Sequence, residues 1–225
     1  MVLVLGGTGG IGSTIAALLS DRDARVCKHG RTGEYTGDIG DIEQMRVVVN
    51  RIINKFGRID AVVNSLSAPA KAGPAEKKLW PDFIDQLRVQ FKAAVDLSDL
   101  VLPVMKRQRK GRIINILTSY VVGHPPSGLA DYVSAKYALL GLTKALAKEW
   151  GKYGITVNAV SPSFIKNSFT RDVPEKFSEL LVVQTPLGRL ATSSDVAKVV
   201  AFLISDEADY ITGENIVVAG GSSMD

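Results

Sequence analysis

The chain has 225 residues, 46% hydrophobic and 22% charged, with a formal net charge of +4. That length and apolar content allow a sizeable buried core and exclude a disordered or low-complexity chain. A single cysteine, Cys27, excludes an intrachain disulfide, and two histidines, His29 and His124, without paired cysteines argue against a metal site of the structural zinc type.

Val2 to Leu5 is a short apolar run, the pattern of a buried parallel strand. It has no charged leader, and no later segment offers about 18 uninterrupted apolar residues, so a soluble cytoplasmic protein without a membrane span is expected. Gly6-Gly7-Thr8-Gly9-Gly10-Ile11-Gly12 follows, and then a helical pattern from Ser13 to Leu19. Strand, glycine turn and helix in that order form a nucleotide-binding unit. Glycines let the backbone turn tightly and approach a pyrophosphate, and the helix N-terminus offers it free N–H groups. Ala24 to His29 is the second strand, ending in Gly30-Arg31-Thr32. No acid stands there to hold a ribose 2′-hydroxyl, whereas Arg31 and Lys28 can accommodate a 2′-phosphate, which favours NADP(H) over NAD(H).

Only Thr32-Gly33-Glu34-Tyr35 separates this strand from Thr36-Gly37-Asp38-Ile39, too little for the dozen or so residues of a helical crossover. The crossover helix between the second and third strands is therefore expected to be missing and any third strand to be vestigial or differently placed. Asp41, with Gln44 three residues on, caps a helix expected to reach Phe56 and to stop at Gly57. Arg58 to Asn64 is the next buried strand, and Ser65 to Pro74 is a small-residue loop at its carboxyl end, where open α/β sheets bind ligands. A long helix is expected from Pro81 through Phe83, Leu87, Phe91, Val95 and Leu102, with a kink at Pro103, to Arg109. The cations Lys106, Arg107, Arg109, Lys110 and Arg112 lie where they offset the helix dipole, and no aromatic pattern joins them to suggest nucleic-acid binding.

Arg112 to Leu117 is a strand ending in Thr118-Ser119, and Gly123 to Gly128 is a loop. The next helix holds Asp131 and Tyr132 near its start and an apolar stripe from Ala135 to Trp150. Tyr132 and Lys136 are four residues apart, so they share a helix face. An ammonium beside a phenol favours the phenolate, and the expected result is a lowered phenol pKa and a proton donor and acceptor near neutral pH. Ile155 to Val160 is a strand closed by Ser161-Pro162. Ser163 to Arg189 is weakly patterned, with helix only from Phe177 to Val183, and reads as a substrate lid. Thr192 to Asp195 caps a helix from Val196 to Ser205, and Ile216 to Val218 is the last strand. The alternation spans residues 1–225. The fold class is α/β: a single-domain, Rossmann-type, doubly wound parallel sheet with helices on both faces.

The glycine turn, strand-end Asn64, strand-end Ser119, Tyr132 and Lys136 stand in an order that resembles the short-chain dehydrogenase/reductase family over nearly the whole chain. Ser119 lies thirteen residues before Tyr132, Asp38-Ile39 resembles the pair that contacts adenine, and Asn158-Ala159-Val160-Ser161-Pro162 resembles the strand leading to the nicotinamide. Pro186-Leu187-Gly188-Arg189 and Thr212-Gly213-Glu214 resemble the 3-oxoacyl-[acyl-carrier-protein] reductase branch. The resemblance implies Tyr132 as general acid and base, Lys136 on the nicotinamide ribose, Ser119 on the substrate carbonyl, and Gln90 in the place of the family's relay asparagine. It implies a cofactor set of Gly6, Thr8, Gly10, Ile11, Gly12, Arg31, Asp38, Ile39, Asn64, Tyr132, Lys136 and Ile165. Counting forward from Gly111 instead puts Thr118 at the catalytic hydroxyl, with one residue inserted before Gly123. The family's Asn-Asn-Ala-Gly motif reads Asn64-Ser65-Leu66-Ser67, its usual Pro-Gly reads Pro162-Ser163, and Gly9 fills a slot that is basic in NADP-binding members. The implied reaction interconverts a ketone, among ketones a 3-oxoacyl thioester on acyl carrier protein, with a secondary alcohol in a homotetramer or homodimer. The alternative is a cofactor-binding regulatory or scaffold protein on the same fold, and an epimerase or dehydratase of the extended type ranks last.

Overall fold

The computed structural model describes residues 1–167, 170 and 173–224. Seven parallel strands form one sheet in the order β3-β2-β1-β4-β5-β6-β7. They are β1 (Val2–Leu5), β2 (Val26–Gly30), β3 (Tyr35–Thr36), β4 (Ala61–Asn64), β5 (Gly111–Ile116), β6 (Ile155–Pro162) and β7 (Asn215–Val218). The helices are α1 (Gly10–Ser20), α2 (Ile42–Phe56), α3 (Trp80–Leu87), α4 (Ala93–Gln108), α5 (Ala130–Trp150), α6 (Glu175–Gln184) and α7 (Ser193–Ile204).

The pleat divides the core in two. Leu3, Leu5, Val62, Ile113 and Val157 pack against α2, α4 and α5, whereas Val2, Val4, Val63, Ile114 and Val160 pack against α1 and α7. Both faces are covered over the central strands, which is why β1 and β4 are largely apolar runs and every residue of β1, β4, β5 and β6 is buried.

The edge of the sheet differs. β3 pairs with β2 through His29↔Tyr35 and Gly30↔Thr36, so it begins level with the carboxyl end of β2. The chain never has to return to the amino end of the sheet, and residues 31–34 suffice to join two parallel strands. With no helix between β2 and β3, Lys28 stands exposed on the face that α1 covers further in, while its neighbours Cys27 and His29 are buried on the other.

Asp41 caps α2 by accepting from the backbone N–H groups of Glu43 and Gln44, and Gly57 ends it at φ 72°. The long helix expected from Pro81 to Arg109 is present as an unbroken helical run from Trp80 to Gln108, made of α3 and α4. A single π turn, Arg88–Lys92, joins α3 to α4 with helical backbone on both sides, and Pro103 lies inside α4. Apolar residues continue through this turn, so their spacing gives no sign of it; π turns of this kind occur often at functional sites.

Candidate active site

The carboxyl ends of β1, β4, β5 and β6 converge on one edge of the sheet. After β1, Gly6 takes φ +68°, a conformation that disfavours any other residue. A Cβ at Gly12 would collide with the Gly6 carbonyl, and one at Gly30 would collide with the Thr8 side chain. The helix α1 starts at Gly10 with Gly9 as N-cap and no side-chain cap, so its first N–H groups point outward unclaimed by a side chain. This bare, close-approach turn fits the pyrophosphate of a dinucleotide. Gly10 faces the Asn167 side chain, with 3.5 Å between the Asn167 Cβ and the position of a Gly10 Cβ. Part of the lid expected from Ser163 to Arg189, namely residues 168, 169, 171 and 172, lies outside the described residues. Within it, Ile165 is buried, pairs with Ala191, and accepts at its carbonyl from the Thr170 hydroxyl at 2.8 Å.

Arg31 is exposed beside this turn and forms no ion pair among the described residues. Asp38 holds the chain after β3, accepting from the Gly40 N–H at 2.8 Å and donating its own N–H to Gln44 at 2.9 Å, and Ile39 packs on the core beside it. Asn64 is buried at the end of β4. Its amide donates to Asn115 Oδ1 at 3.2 Å, and Asn115 donates to Thr143 Oγ1 on α5 at 3.0 Å, a polar ladder across β4, β5 and α5. Asn64 Oδ1 also accepts from the Leu66 N–H, which fixes the start of the loop after β4.

Tyr132 and Lys136 sit in the first two turns of α5. Lys136 is 2% exposed, donates to the Ile116 carbonyl at 2.8 Å and to the Leu66 carbonyl at 3.5 Å, and stands 5.8 Å from the Tyr132 ring centre. Burial without a counter-charge pushes its ammonium down to about 7. The expected lowering of the Tyr132 pKa does not occur. Burial pushes the phenol up to about 12, a hydrogen bond with the Thr118 hydroxyl opposes this, and the nearby Tyr120 phenol adds to it. Desolvation is the largest cause, and Lys136 directs its own hydrogen bonds to the Ile116 and Leu66 carbonyls.

Thr118, the rival to Ser119 in the sequence, is the residue whose side-chain hydroxyl lowers the Tyr132 phenol pKa against the effect of burial. Thr118 also accepts from the Tyr120 N–H at 3.4 Å, starting a short 3₁₀ turn, Ser119–Val121. Ser119 is buried within that turn, its carbonyl accepting from Val122 and Gly123. Gln90 is fully buried in the π turn, but its amide donates to Gln86 Oε1 at 2.5 Å and not to Lys136 or Tyr132, and its Oε1 has no partner among the described residues. Gln86 in turn donates to the Pro69 carbonyl at 3.0 Å. The sequence reading missed Tyr120, whose signal was the inserted residue before Gly123. It also missed the Lys78–Asp131 ion pair, whose partners lie 53 residues apart and leave no local pattern.

The sequence model of the family described as enoyl-(acyl carrier protein) reductase matches residues 6–223. A 3-oxoacyl-[acyl-carrier-protein] reductase of Thermotoga maritima is 36% identical over 193 residues, 85% of this chain and 77% of that protein. The protein of the same name from Vibrio cholerae is 34% identical over 241 aligned positions, covering 100% of this chain and 97% of its own. Among solved structures, the ligand-free aldohexose dehydrogenase of Thermoplasma acidophilum superposes with a TM-score of 0.91 at 27% identity, covering 98% of this chain and 93% of that one. Sorbitol-6-phosphate 2-dehydrogenase of Erwinia amylovora gives 0.92 at 26% identity, covering 100% of both chains. With its glycine turn, its seven-stranded sheet and these matches over nearly its whole length, the chain belongs to the short-chain dehydrogenase/reductase family and is a nicotinamide-dependent oxidoreductase.

Proposed function

We propose that this enzyme reduces a ketone to a secondary alcohol with NADP(H), the ketone being a 3-oxoacyl thioester carried on acyl carrier protein, and that Tyr132 donates the proton. The observation that carries the reading is the placement of Tyr132 at the start of α5, with Lys136 Nζ 5.8 Å from its ring centre and the Thr118 hydroxyl near its phenol. A phenol that holds its proton at neutral pH can give it to a carbonyl oxygen; this is equally true of an unshifted phenol, so the direction is taken from the 3-oxoacyl reductases that the chain resembles. The nicotinamide, when bound, supplies the hydride that reaches the carbonyl carbon.

The residues Gly6, Thr8, Gly10, Ile11 and Gly12 hold the pyrophosphate, Asp38 and Ile39 the adenine, and Asn64 and Ile165 the nicotinamide end. Arg31 takes the 2′-phosphate. Tyr132 passes its proton to the carbonyl oxygen as negative charge grows there. Thr118 orients the phenol and the carbonyl together, the positioning that such a transfer needs. Lys136 stabilises the phenolate left behind by the charge it retains below the tyrosine. The substrate mouth in this reading is the opening of ≈ 470 Å³ lined by Ala72, Gly73, Pro74, Ser127 and Gly128, whose small side chains suit a thin, extended acyl substrate. The same reading takes the protein as a cytoplasmic homotetramer or homodimer. Among the described residues, no helix is long and apolar enough to cross a membrane.

Substrate class is tested by NADPH oxidation with a 3-oxobutyryl thioester, a 2-enoyl thioester and an aldohexose side by side. The 3-oxobutyryl thioester is expected to react fastest, and a preference for either of the others removes the substrate assignment. Thr118→Val is expected to lower kcat about 100-fold, the usual effect of losing one donor at a developing oxyanion, and Ser119→Ala by less than about 3-fold. The reverse order would return the role to Ser119. Arg31→Ala is expected to raise KM for NADPH about 10-fold, as for loss of a hydrogen bond to a charged group, and to leave KM for NADH unchanged. Equal changes for both cofactors would show that Arg31 does not read the 2′-phosphate.

A further inference from the structure

The loop between β4 and α3 carries a charge pair that the proposed chemistry leaves unused. Lys78 and Asp131 have side chains 8% and 4% exposed, and Lys78 Nζ donates to Asp131 Oδ2 at 3.0 Å. Asp131 lies in the first turn of α5, where the helix dipole favours a carboxylate, and it immediately precedes Tyr132. Its Oδ1 is buried without a partner among the described residues, so Lys78 is the side chain that compensates this carboxylate. Desolvating two charges is unfavourable, and a pair kept in such a place fixes one geometry against others.

The pair closes a series of ties between this loop and α5. Lys136 reaches the Leu66 carbonyl at the start of the loop, and the Gly73 N–H donates to the Gly128 carbonyl at 3.0 Å in its middle. Lys78, at its end, also donates to the Lys71 carbonyl at 2.5 Å, folding the loop back on itself. The loop therefore lies against the start of α5, and its residues 72–74, with Ser127 and Gly128, line the opening taken above as the substrate mouth.

We infer that the Lys78–Asp131 pair is a positioning latch: it fixes the wall of the substrate mouth relative to Tyr132 and so sets substrate affinity. The inference rests on the carbonyl-reductase reading given above. Tyr132, Thr118 and Lys136 keep their own bonds when the latch opens, so its loss acts on KM and not on proton transfer.

The test compares the full-length wild type with Lys78→Met, Lys78→Arg and the double variant Lys78→Met/Asp131→Leu, which leaves no buried charge unpaired. In Lys78→Met and the double variant, KM for a 3-oxobutyryl thioester is expected to rise about 10-fold with kcat within about 3-fold of wild type. Lys78→Arg is expected to restore the wild-type KM. Hydrogen exchange at the Gly73 amide, read without substrate, is expected to accelerate in the two disrupted variants and not in Lys78→Arg. Should Lys78→Met fail to fold, the double variant and Lys78→Arg decide. An unchanged KM beside faster exchange overturns the latch, as does a fall in kcat at constant KM or equal exchange in all four proteins. A wild type that turns over no thioester, with the exchange pattern as expected, removes the reductase reading and leaves the loop tie standing.

Discussion

Replacing Tyr132 by Phe is expected to lower kcat for ketone reduction by about 10²- to 10⁴-fold, the range of a positioned general acid, with NADPH affinity unchanged. Phenylalanine keeps the ring and its packing in α5 and removes only the hydroxyl that bonds Thr118. Single-turnover kinetics separate the effect from binding. The pH dependence adds a second sign. A phenol pushed up to about 12 stays protonated through neutral and moderately alkaline pH, so reduction by the wild type should not lose its acid below that range. Oxidation of the alcohol needs the deprotonated form, and its rate should climb as pH rises. An oxidation rate that falls between pH 7 and 9 would contradict the assignment.

Lys136→Met is expected to reduce kcat about 100-fold or more and to change how stability depends on pH. The lysine is 2% exposed and its folded pKa is about 7, against 10.5 for the free side chain. Below pH 7 the folded and unfolded chains both carry the proton, and the destabilisation from burying the charge is fully present. Between 7 and 10.5 the unfolded chain keeps the proton that the folded chain has lost, so ΔG of unfolding rises with pH by up to about 1.4 kcal/mol per unit from this group. Urea unfolding at pH 7.0 and about 8.5 measures the slope in a window below the ordinary thiol pKa, where Cys27 adds little. The wild type should gain stability across it relative to Lys136→Met. Parallel curves for the two proteins would mean that the lysine is charged in the folded state throughout.

Local signals carried much of this molecule. The Asp41 cap, the Gly57 stop and the apolar run of β1 are short-range features, and the structure has them where the sequence puts them, while β4, β5 and β6 lie within three residues of their expected bounds. The absent helix after β2 was legible too, because a count of residues between two strands bounds what can connect them. The π turn at Gln90 was not, because the apolar spacing of one long helix runs straight through it. Nor was the pKa of Tyr132. Four-residue spacing correctly brings Lys136 beneath it, but burial and the pull of the Ile116 carbonyl on the lysine come from strands distant in the chain. The choice between Thr118 and Ser119 stayed open in the sequence because the loop before Tyr132 has one residue more than the pattern; the kinetics of Thr118→Val and Ser119→Ala decide it.

The central claim is hydride transfer to a ketone with proton delivery by Tyr132, and stoichiometric turnover tests it most directly. Wild-type enzyme is mixed with NADPH and a 3-oxobutyryl thioester, and the loss of reduced nicotinamide is followed alongside the appearance of the 3-hydroxy product. The account predicts one product molecule for each NADPH oxidised by the wild type, and a rate in Tyr132→Phe lower by at least about 10². Equal rates in the two proteins, or no NADPH oxidation by the wild type with any ketone, would contradict it.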